Sequence, residues 1–267
     1  MTEKSKSTLG EMSLGNHFNE MRKRLFYAVL GILSCTIASY VYWREIWIIL
    51  QIPITTGDVK IYWQALTPVE VFSNSIKVAL IAGILTSSPF TLWCAWRFLA
   101  PGLFIKEKKL ILPVLIASLL LFLGGAAFCF LVVLPFGMRF LINYTPQDIS
   151  ANWTMGAYSS FILKILVSFG LAFELPVVSY VFTKLGLITW RMLRASARYA
   201  IVIIVLASAL LTPPDPITQI MLAIPLCLIY GVSIVVSWMV NKDKEEEDED
   251  EDEENEEEEN QEEEKEE

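Results

Sequence analysis

The chain has 267 residues, 54% of them hydrophobic, and a mean hydropathy of +0.48, which is typical of an integral membrane protein. The net charge of −9 combines two regions, because residues 241–267 carry −17 whereas residues 1–240 carry +8. The single histidine, His17, excludes paired haem ligands, HExxH zinc sites and most catalytic triads. The four cysteines lie in apolar runs without CxxC spacing, which favours buried, unpaired thiols over a disulfide or a metal site. No cofactor is expected.

The first predicted element is an amphipathic cytoplasmic segment, residues 1–24, that leads into the membrane. Around "HFNEMRKRL", four apolar residues recur at helical spacing: Leu14, Phe18, Met21 and Leu25. No small-x-small cleavage site follows the first apolar run, so a retained first span is expected rather than a removed signal peptide.

Six apolar runs between charged loops predict an all-α, six-span membrane domain at residues 25–240. The predicted spans are Leu25–Trp43, Ser75–Arg97, Leu110–Phe136, Tyr158–Phe182, Tyr199–Thr212 and Pro216–Met239. The tail, residues 241–267, has too few apolar residues to bury a core and is predicted to be disordered.

Basic residues predict the orientation of these spans. One side of the membrane receives most of them: Lys4, Lys6, Arg22, Lys23, Arg24, Arg97, Lys106, Lys108, Lys109, Lys184, Arg191, Arg194 and Arg198. The loops on the other side hold only Arg44, Lys60 and Arg139. Because basic residues favour cytoplasmic loops, both termini are predicted to be cytoplasmic.

Two regions depart from simple spanning helices. The fifth predicted span has about 14 residues, or roughly 21 Å of helix, against a hydrocarbon core of about 30 Å. It ends at "TPPDP", where prolines stop a helix. The first external loop, residues 44–74, contains Trp47, Trp63 and Pro53, a composition that suits a short interfacial helix or cap.

Two acidic residues stand out in the basic cytoplasmic surface, Glu20 in the lead-in segment and Glu107 in the loop after the second span. One interpretation is structural: Glu20 forms an i,i+4 pair with Arg24, and the lysines beside Glu107 screen its charge. The other is functional, in that both carboxylates face one patch and bind paired arginines of a partner, since a guanidinium fork matches a carboxylate.

Glu174 is an ionisable residue in the middle of the apolar run "LVSFGLAFELPVVSYVF". Because such a group is costly at membrane depth, it usually faces a cavity or a partner. The alternative is a carboxyl group satisfied within the bundle, by Ser168, Ser179 or a freed backbone carbonyl. Pro176 removes a helix hydrogen bond and is expected to kink the span.

Taken together, these stretches resemble the TatC family, the polytopic subunit of the twin-arginine protein translocase. "HFNEMRKRL" is similar to the family's amino-terminal signature HLxELRxRL, with Phe18 and Met21 in place of leucines. "WRFLAPGLFIKEKKL" resembles the first cytoplasmic loop, "FELP" the fourth-span motif and "LLTPPDPITQ" the link between spans five and six. The resemblance covers roughly residues 12–240 and implies a curved, glove-like bundle.

The resemblance also implies roles for individual residues. Those implied for signal-peptide binding are Glu20, Arg22, Phe98 and Glu107. Glu174 aligns with the family's intramembrane acid, which would contact a partner helix or the signal peptide. Pro53 aligns with the proline of the external cap, and Asp215 aligns with the acid after the prolines.

The implied protein is a receptor rather than an enzyme, and it moves folded proteins across the bacterial inner membrane using the proton-motive force. Its implied partners are single-span TatA- and TatB-type proteins, twin-arginine signal peptides, membrane lipid and further copies of itself, with no nucleic acid. The acidic tail departs from the family pattern and would either compete with Glu20 and Glu107 for basic signal regions or be a solvated appendage. The alternative function is a proton-coupled secondary transporter with Glu174 as its relay.

Overall fold

The computed structural model describes residues 14–55, 62–99, 111–144, 152–212 and 216–266, and most of these residues are helical. The elements in this part of the chain are α1 Leu14–Tyr40, α2 Trp43–Leu50, α3 Ile52–Thr55, β1 Tyr62–Gln64, α4 Glu70–Leu99, α5 Ile111–Phe128, a π-helical turn Cys129–Val133, α6 Leu134–Tyr144, β2 Asn152–Thr154, α7 Met155–Phe173, α8 Leu175–Lys184, α9 Trp190–Leu211 and α10 Pro216–Glu266.

The number of membrane spans agrees with the prediction. Five segments in the described ranges are long and apolar enough to cross a membrane: Glu70–Arg97, Ile111–Tyr144, Met155–Lys184, Trp190–Leu211 and Pro216–Lys242. A sixth is obtained if Asn19–Tyr40 and Trp43–Thr55, which meet at a 92° bend, are counted as one broken span. The all-α, six-span membrane fold is therefore confirmed, and α1 runs without interruption from the lead-in segment into the first span.

The chain divides into two compact units, Met1–Ile49 with Phe72–Leu119, and Leu50–Val71 with Leu120–Glu267. In the first unit, α1 and α4 approach closely. A Cβ atom on Gly83 would lie only 2.8 Å from the Thr36 backbone, and one on Gly31 would overlap the Phe90 ring. Glycine at both positions therefore permits this close approach. Trp96 also donates its indole N–H to Ser118 Oγ at 2.7 Å, which links α4 to α5.

In the second unit, α10 packs against α8 and α9. Thr183 and Ser237 share a buried hydrogen bond of 2.7 Å between α8 and α10. Tyr230 on α10 donates its hydroxyl to the carbonyl of Leu193 on α9 at 2.8 Å. These polar bonds join helices whose apolar surfaces alone give little specificity in a lipid environment.

Short elements of the second unit form a cap, which we define as α3, β1, β2 and the residues between β1 and α4. β1 and β2 pair in parallel, with Trp63 opposite Trp153. Trp63 donates to Gln51 Oε1 at 2.8 Å, and Tyr158 donates its hydroxyl to the carbonyl of Leu50 at 2.6 Å. Short helices lie in this loop, as predicted, whereas the two strands were not predicted. The interfacial position of the cap stays a prediction.

The third span contains a π-helical turn that the sequence analysis did not predict. The amide of Leu134 donates to the carbonyl of Cys129, five residues earlier, and Pro135 follows directly. Because proline lacks an amide proton, the normal helical bond pattern cannot continue through it, and a π turn accommodates the break.

The fifth helix differs from its predicted length. α9 has 22 residues, because it begins at Trp190 instead of Tyr199, with Thr189 Oγ1 capping the amide of Met192. The added turns contain Arg191, Arg194 and Arg198, which had been assigned to a loop. The prediction of a short helix was therefore wrong, although the stretch without charges remains short.

The tail also differs from the expectation. α10 extends to Glu266, so the backbone of most of residues 241–267 is helical, whereas a disordered tail was predicted from composition. Glutamate has a favourable helix propensity, and a helix already formed by the sixth span needs no new nucleation step to continue.

Candidate functional site

Glu20 lies on α1, where its carboxylate forms an ion pair with the guanidinium of Arg24 one turn later. Arg24 donates from both Nε and Nη2 to Oε1 of Glu20. The two side chains are 26% and 18% exposed, so the pair is half-buried. The i,i+4 pair of the structural interpretation is therefore present. The pair also shows that the Glu20 carboxylate can accept a guanidinium.

The other residues implied in signal binding are only partly described. Arg22 is exposed on α1, and Phe98 belongs to the last turn of α4. Glu107 lies outside the described residues, as does Asp215. Whether Glu20 and Glu107 face one patch therefore stays a prediction.

Glu20 also lines a cavity of about 420 Å³ within the first unit, which we call the α1–α4 cavity. The lining residues are Glu20, Lys23, Arg24, Tyr27, Phe90, Trp93, Cys94 and Arg97. The sequence analysis missed the aromatic members, because Phe90 and Trp93 lie in an apolar run and resemble ordinary span residues. The signal available was the mixture of aromatic and basic residues in "WCAWRF", which is typical of a membrane interface.

Glu174 is buried, with 8% of its surface exposed, at the point where α7 ends and α8 begins. The helix is interrupted there, two residues before Pro176. The kink at this point stays a prediction. The amide of Val178 still donates to the Glu174 carbonyl at 2.9 Å, so the chain resumes helical bonding at once. Glu174 is thus the acidic residue of this span, and it is buried at the break between the two helices.

Pro53 is fully buried in α3, within the cap. Glu70, the first residue of α4, borders the cap and was not identified from the sequence. Its two carboxylate oxygens accept the amide of Leu66 at 2.6 Å and the amide of Gly156 at 3.0 Å. Glu70 thus joins two chain segments that are distant in sequence, a contact that no local pattern reveals.

Among the described residues, no group of three or more histidine, cysteine, aspartate or glutamate side chains is arranged to hold a metal ion. All four cysteines are free thiols.

Comparison with known protein families identifies one match. Residues 16–225 match the family described as "TatC: Sec-independent protein translocase protein (TatC)". The chain is similar to the "Sec-independent protein translocase protein TatC" of Helicobacter pylori, strain J99, at 39% identity over 86% of this chain and 91% of that protein. The protein of the same name from Campylobacter jejuni is 38% identical, over 86% of this chain and 96% of the relative.

Solved structures give the same result. A crystal structure described as "Twin Arginine Translocase Receptor- TatC" superposes with a TM-score of 0.79 at 35% identity, over 84% of this chain and 99% of the other. A second, in the detergent DDM, gives a TM-score of 0.77 at 36% identity, over 83% and 99% of the two chains.

Proposed function

Because the chain belongs to the TatC family of Sec-independent protein translocase proteins, we propose that it is the receptor subunit that binds twin-arginine signal peptides. The chain is a transport protein rather than an enzyme. In the proposed function, Glu20 and Glu107 accept the guanidinium groups of the paired arginines, and Arg22 and Phe98 complete the binding surface. Folded cargo then crosses the membrane at the expense of the proton-motive force.

The observation that carries this proposal is the pair between Glu20 and Arg24. A carboxylate that already accepts two guanidinium donors is chemically suited to accept the guanidinium of a signal arginine. Because both side chains keep some exposure, an incoming arginine could reach the Glu20 carboxylate and replace Arg24 as its guanidinium partner. Lysine lacks the planar fork and would bind less well.

Glu174 supplies a second contact in this proposal. Its buried carboxyl at the α7–α8 break would hydrogen-bond a partner's membrane helix or the apolar part of a signal peptide. The partners are single-span TatA- and TatB-type proteins, together with further copies of this chain. We place the protein in a bacterial inner membrane with both termini in the cytoplasm, as the distribution of basic residues predicts.

Photocrosslinking in membranes tests the receptor function. A photoreactive residue is introduced near Glu107, and twin-arginine or twin-lysine signal peptides are offered separately. We expect a crosslink to the arginine peptide that falls at least tenfold with the lysine peptide and with Glu20→Gln or Glu107→Gln, since a charge-assisted hydrogen bond contributes about 1.5–3 kcal/mol. The matched control is Glu45→Gln, which neutralises an exposed acid on α2 and should leave the crosslink unchanged.

If both peptides crosslink equally, or if neither crosslinks to folded protein, these carboxylates do not recognise the paired arginines. The family assignment already favours a translocase subunit over the secondary transporter that the sequence left as an alternative.

A further inference from the structure

Three arginines occupy one face of α9 near its amino-terminal end, and we call them the arginine stripe. Arg191, Arg194 and Arg198 follow i, i+3, i+7 spacing, which places them within about 60° of one another around the helix axis. All three are exposed. The Arg191 guanidinium lies over the Trp190 ring, 5.6 Å from its centroid, and that of Arg198 lies over Tyr199 at 4.8 Å. These cation–π contacts hold two of the three charges at the helix surface.

Hydrogen bonds between α9 and α10 show which part of the sixth span lies beside the arginine stripe. Tyr230 donates its hydroxyl to the carbonyl of Leu193 at 2.8 Å. Gln219 donates from Nε2 to the carbonyl of Val205 at 3.1 Å. The second and third arginines of the stripe lie between these two levels, beside residues 220–229 of α10, which include no charged side chain. Two of the three charges are therefore level with an apolar part of the sixth span.

The neighbouring helices α8 and α10 extend further than the arginine stripe does. Thr183, in the last turn of α8, shares a hydrogen bond with Ser237 of α10. From Tyr230 to Ser237, α10 rises by roughly 10 Å. Because a cation is costly in the apolar layer, a negative group that reaches the level of the stripe from the membrane stabilises it.

The acidic residues nearest in the chain are poorly placed to neutralise the arginine stripe. α10 contains no acidic residue from Pro216 to Asn241. Asp243, the first acid of the tail, follows Tyr230 by roughly 20 Å of helix, more than twice the Debye length of about 8 Å. Glu174 is buried, whereas the arginines are exposed. A negative group from outside the chain therefore suits the stripe better.

The helix face that carries the arginine stripe is open to the membrane. Of the five continuous spans in the described ranges, Trp190–Leu211 is the least buried, at 6% against 28–44% for the others. Beyond the arginines, the same face continues with Ile201, Val202 and Val205, which are 38–57% exposed. A ligand that fits this surface has a negative group at one end and an apolar chain behind it. A phospholipid has this form, whereas inorganic phosphate does not.

We propose that the arginine stripe binds an anionic phospholipid, whose phosphate contacts Arg194 and Arg198 and whose acyl chains lie along Ile201 and Val202. A guanidinium fork matches two phosphate oxygens, and clusters of basic residues on membrane proteins bind acidic headgroups. Three positive charges within about two helical turns favour an anionic lipid over a zwitterionic one. The stripe shares no residue with the surface proposed for signal peptides, so the inference goes beyond the proposed function and does not depend on it.

Native mass spectrometry of the full-length protein in a neutral detergent tests the proposal. Phosphatidylglycerol and phosphatidylcholine are titrated separately, and binding of the anionic lipid should be stronger by at least tenfold. Arg194→Gln and Arg198→Gln should each weaken phosphatidylglycerol binding about fivefold, and about 25-fold together, because one basic residue near an anionic surface contributes about fivefold. The matched control is Arg44→Gln, which removes an exposed arginine that lies over the Trp43 ring at 5.7 Å on another helix.

A second measurement reports contact with the acyl chains. Phosphatidylglycerol with brominated chains should quench a tryptophan introduced by Val202→Trp. The quenching should fall at least twofold when Arg194→Gln and Arg198→Gln are added to the same protein. Circular dichroism of every variant confirms that its helices are formed.

Several outcomes would overturn the proposal. Equal binding of the two lipids, or losses in Arg194→Gln and Arg198→Gln no larger than in Arg44→Gln, would show that the stripe does not select an anionic lipid. Displacement of the lipid by inorganic phosphate at equal concentration would indicate a simple anion site. If the arginine variants and deletion of residues 245–267 both abolish self-association while lipid binding is unchanged, the stripe binds the acidic tail of a second copy.

Discussion

At the scale of single residues, the two acids Glu20 and Glu174 differ in how the structure accommodates them. Glu20 is half-buried and paired with Arg24, which its i,i+4 spacing predicts. Glu174 is buried at a helix break, as its apolar flanks and Pro176 predict. The aromatic rings beside Glu20 were not predictable, because only the packing of α4 against α1 brings Phe90 and Trp93 to it.

The role of Glu174 can be separated into hydrogen bonding and charge. If its carboxyl acts as a hydrogen-bonding group, Glu174→Gln should retain transport of a folded reporter within about threefold, whereas Glu174→Ala should lose about tenfold, the equivalent of one hydrogen bond of about 1.4 kcal/mol. Transport assays in membrane vesicles measure both variants. Ser159→Ala, at a buried polar residue about four turns earlier on α7, is the control. A glutamine variant as inactive as the alanine variant would point to ionisation or proton transfer instead.

Gly83 allows the close approach of α1 and α4. We expect Gly83→Ala to lower the free energy of unfolding by about 1–3 kcal/mol, because its methyl group would overlap the Thr36 backbone. Thermal unfolding in detergent measures the loss. Gly124→Ala and Gly231→Ala are matched controls, since a Cβ atom at either position meets nothing within 4 Å. If the Gly83 variant is as stable as these controls, α1 and α4 can move apart to admit the methyl group without a loss in the free energy of unfolding.

At the scale of elements, the cap depends on one carboxylate. Glu70→Ala removes the acceptors for the amides of Leu66 and Gly156, and should lower the free energy of unfolding by about 2 kcal/mol. Glu70→Gln keeps one carbonyl oxygen and should lose about half as much. Limited proteolysis near residues 56–61 and thermal unfolding together measure the effect. Equal stability of the alanine variant and the parent protein would show that the strand pair maintains the cap unaided.

Elements were predictable where a single periodic pattern determines them. The spans follow from apolar runs, but the start of α9 was missed because three arginines marked a loop, although Thr189 is a recognisable helix cap. β1 and β2 have three residues each, too few for an alternating pattern, and their pairing joins segments far apart in the sequence. The π turn required knowledge of the bond to Cys129, which no periodic pattern supplies.

At the scale of the whole molecule, the separation of charge is the main feature that composition revealed. The basic body and acidic tail differ by 25 units of formal charge, from +8 to −17. α10 continues about 36 Å beyond Lys242 as a helix, several times the Debye length of about 8 Å in physiological salt. Most of the tail's charge is therefore screened from groups near the end of the sixth span.

Removal of the tail distinguishes its two possible roles. We expect deletion of residues 245–267 to leave the affinity for a twin-arginine peptide unchanged within about twofold. The reason is that dissolved salt screens the tail's negative charges from groups more than a Debye length away. A binding titration at low and physiological salt, on the full-length and shortened chains, measures this. Affinity that rises severalfold on deletion, most strongly at low salt, would instead identify the tail as a competitor for basic signal regions.

The pairing of β1 with β2 also constrains the order of events during synthesis. Tyr62 pairs with Asn152, and Glu70 accepts the amide of Gly156, so nearly 90 residues must be translated after β1 before its partner exists. At about 5–20 residues per second, this takes roughly 5–18 s. During that interval β1 lacks its partner strand, so the cap cannot be completed until β2 and the start of α7 have been synthesised.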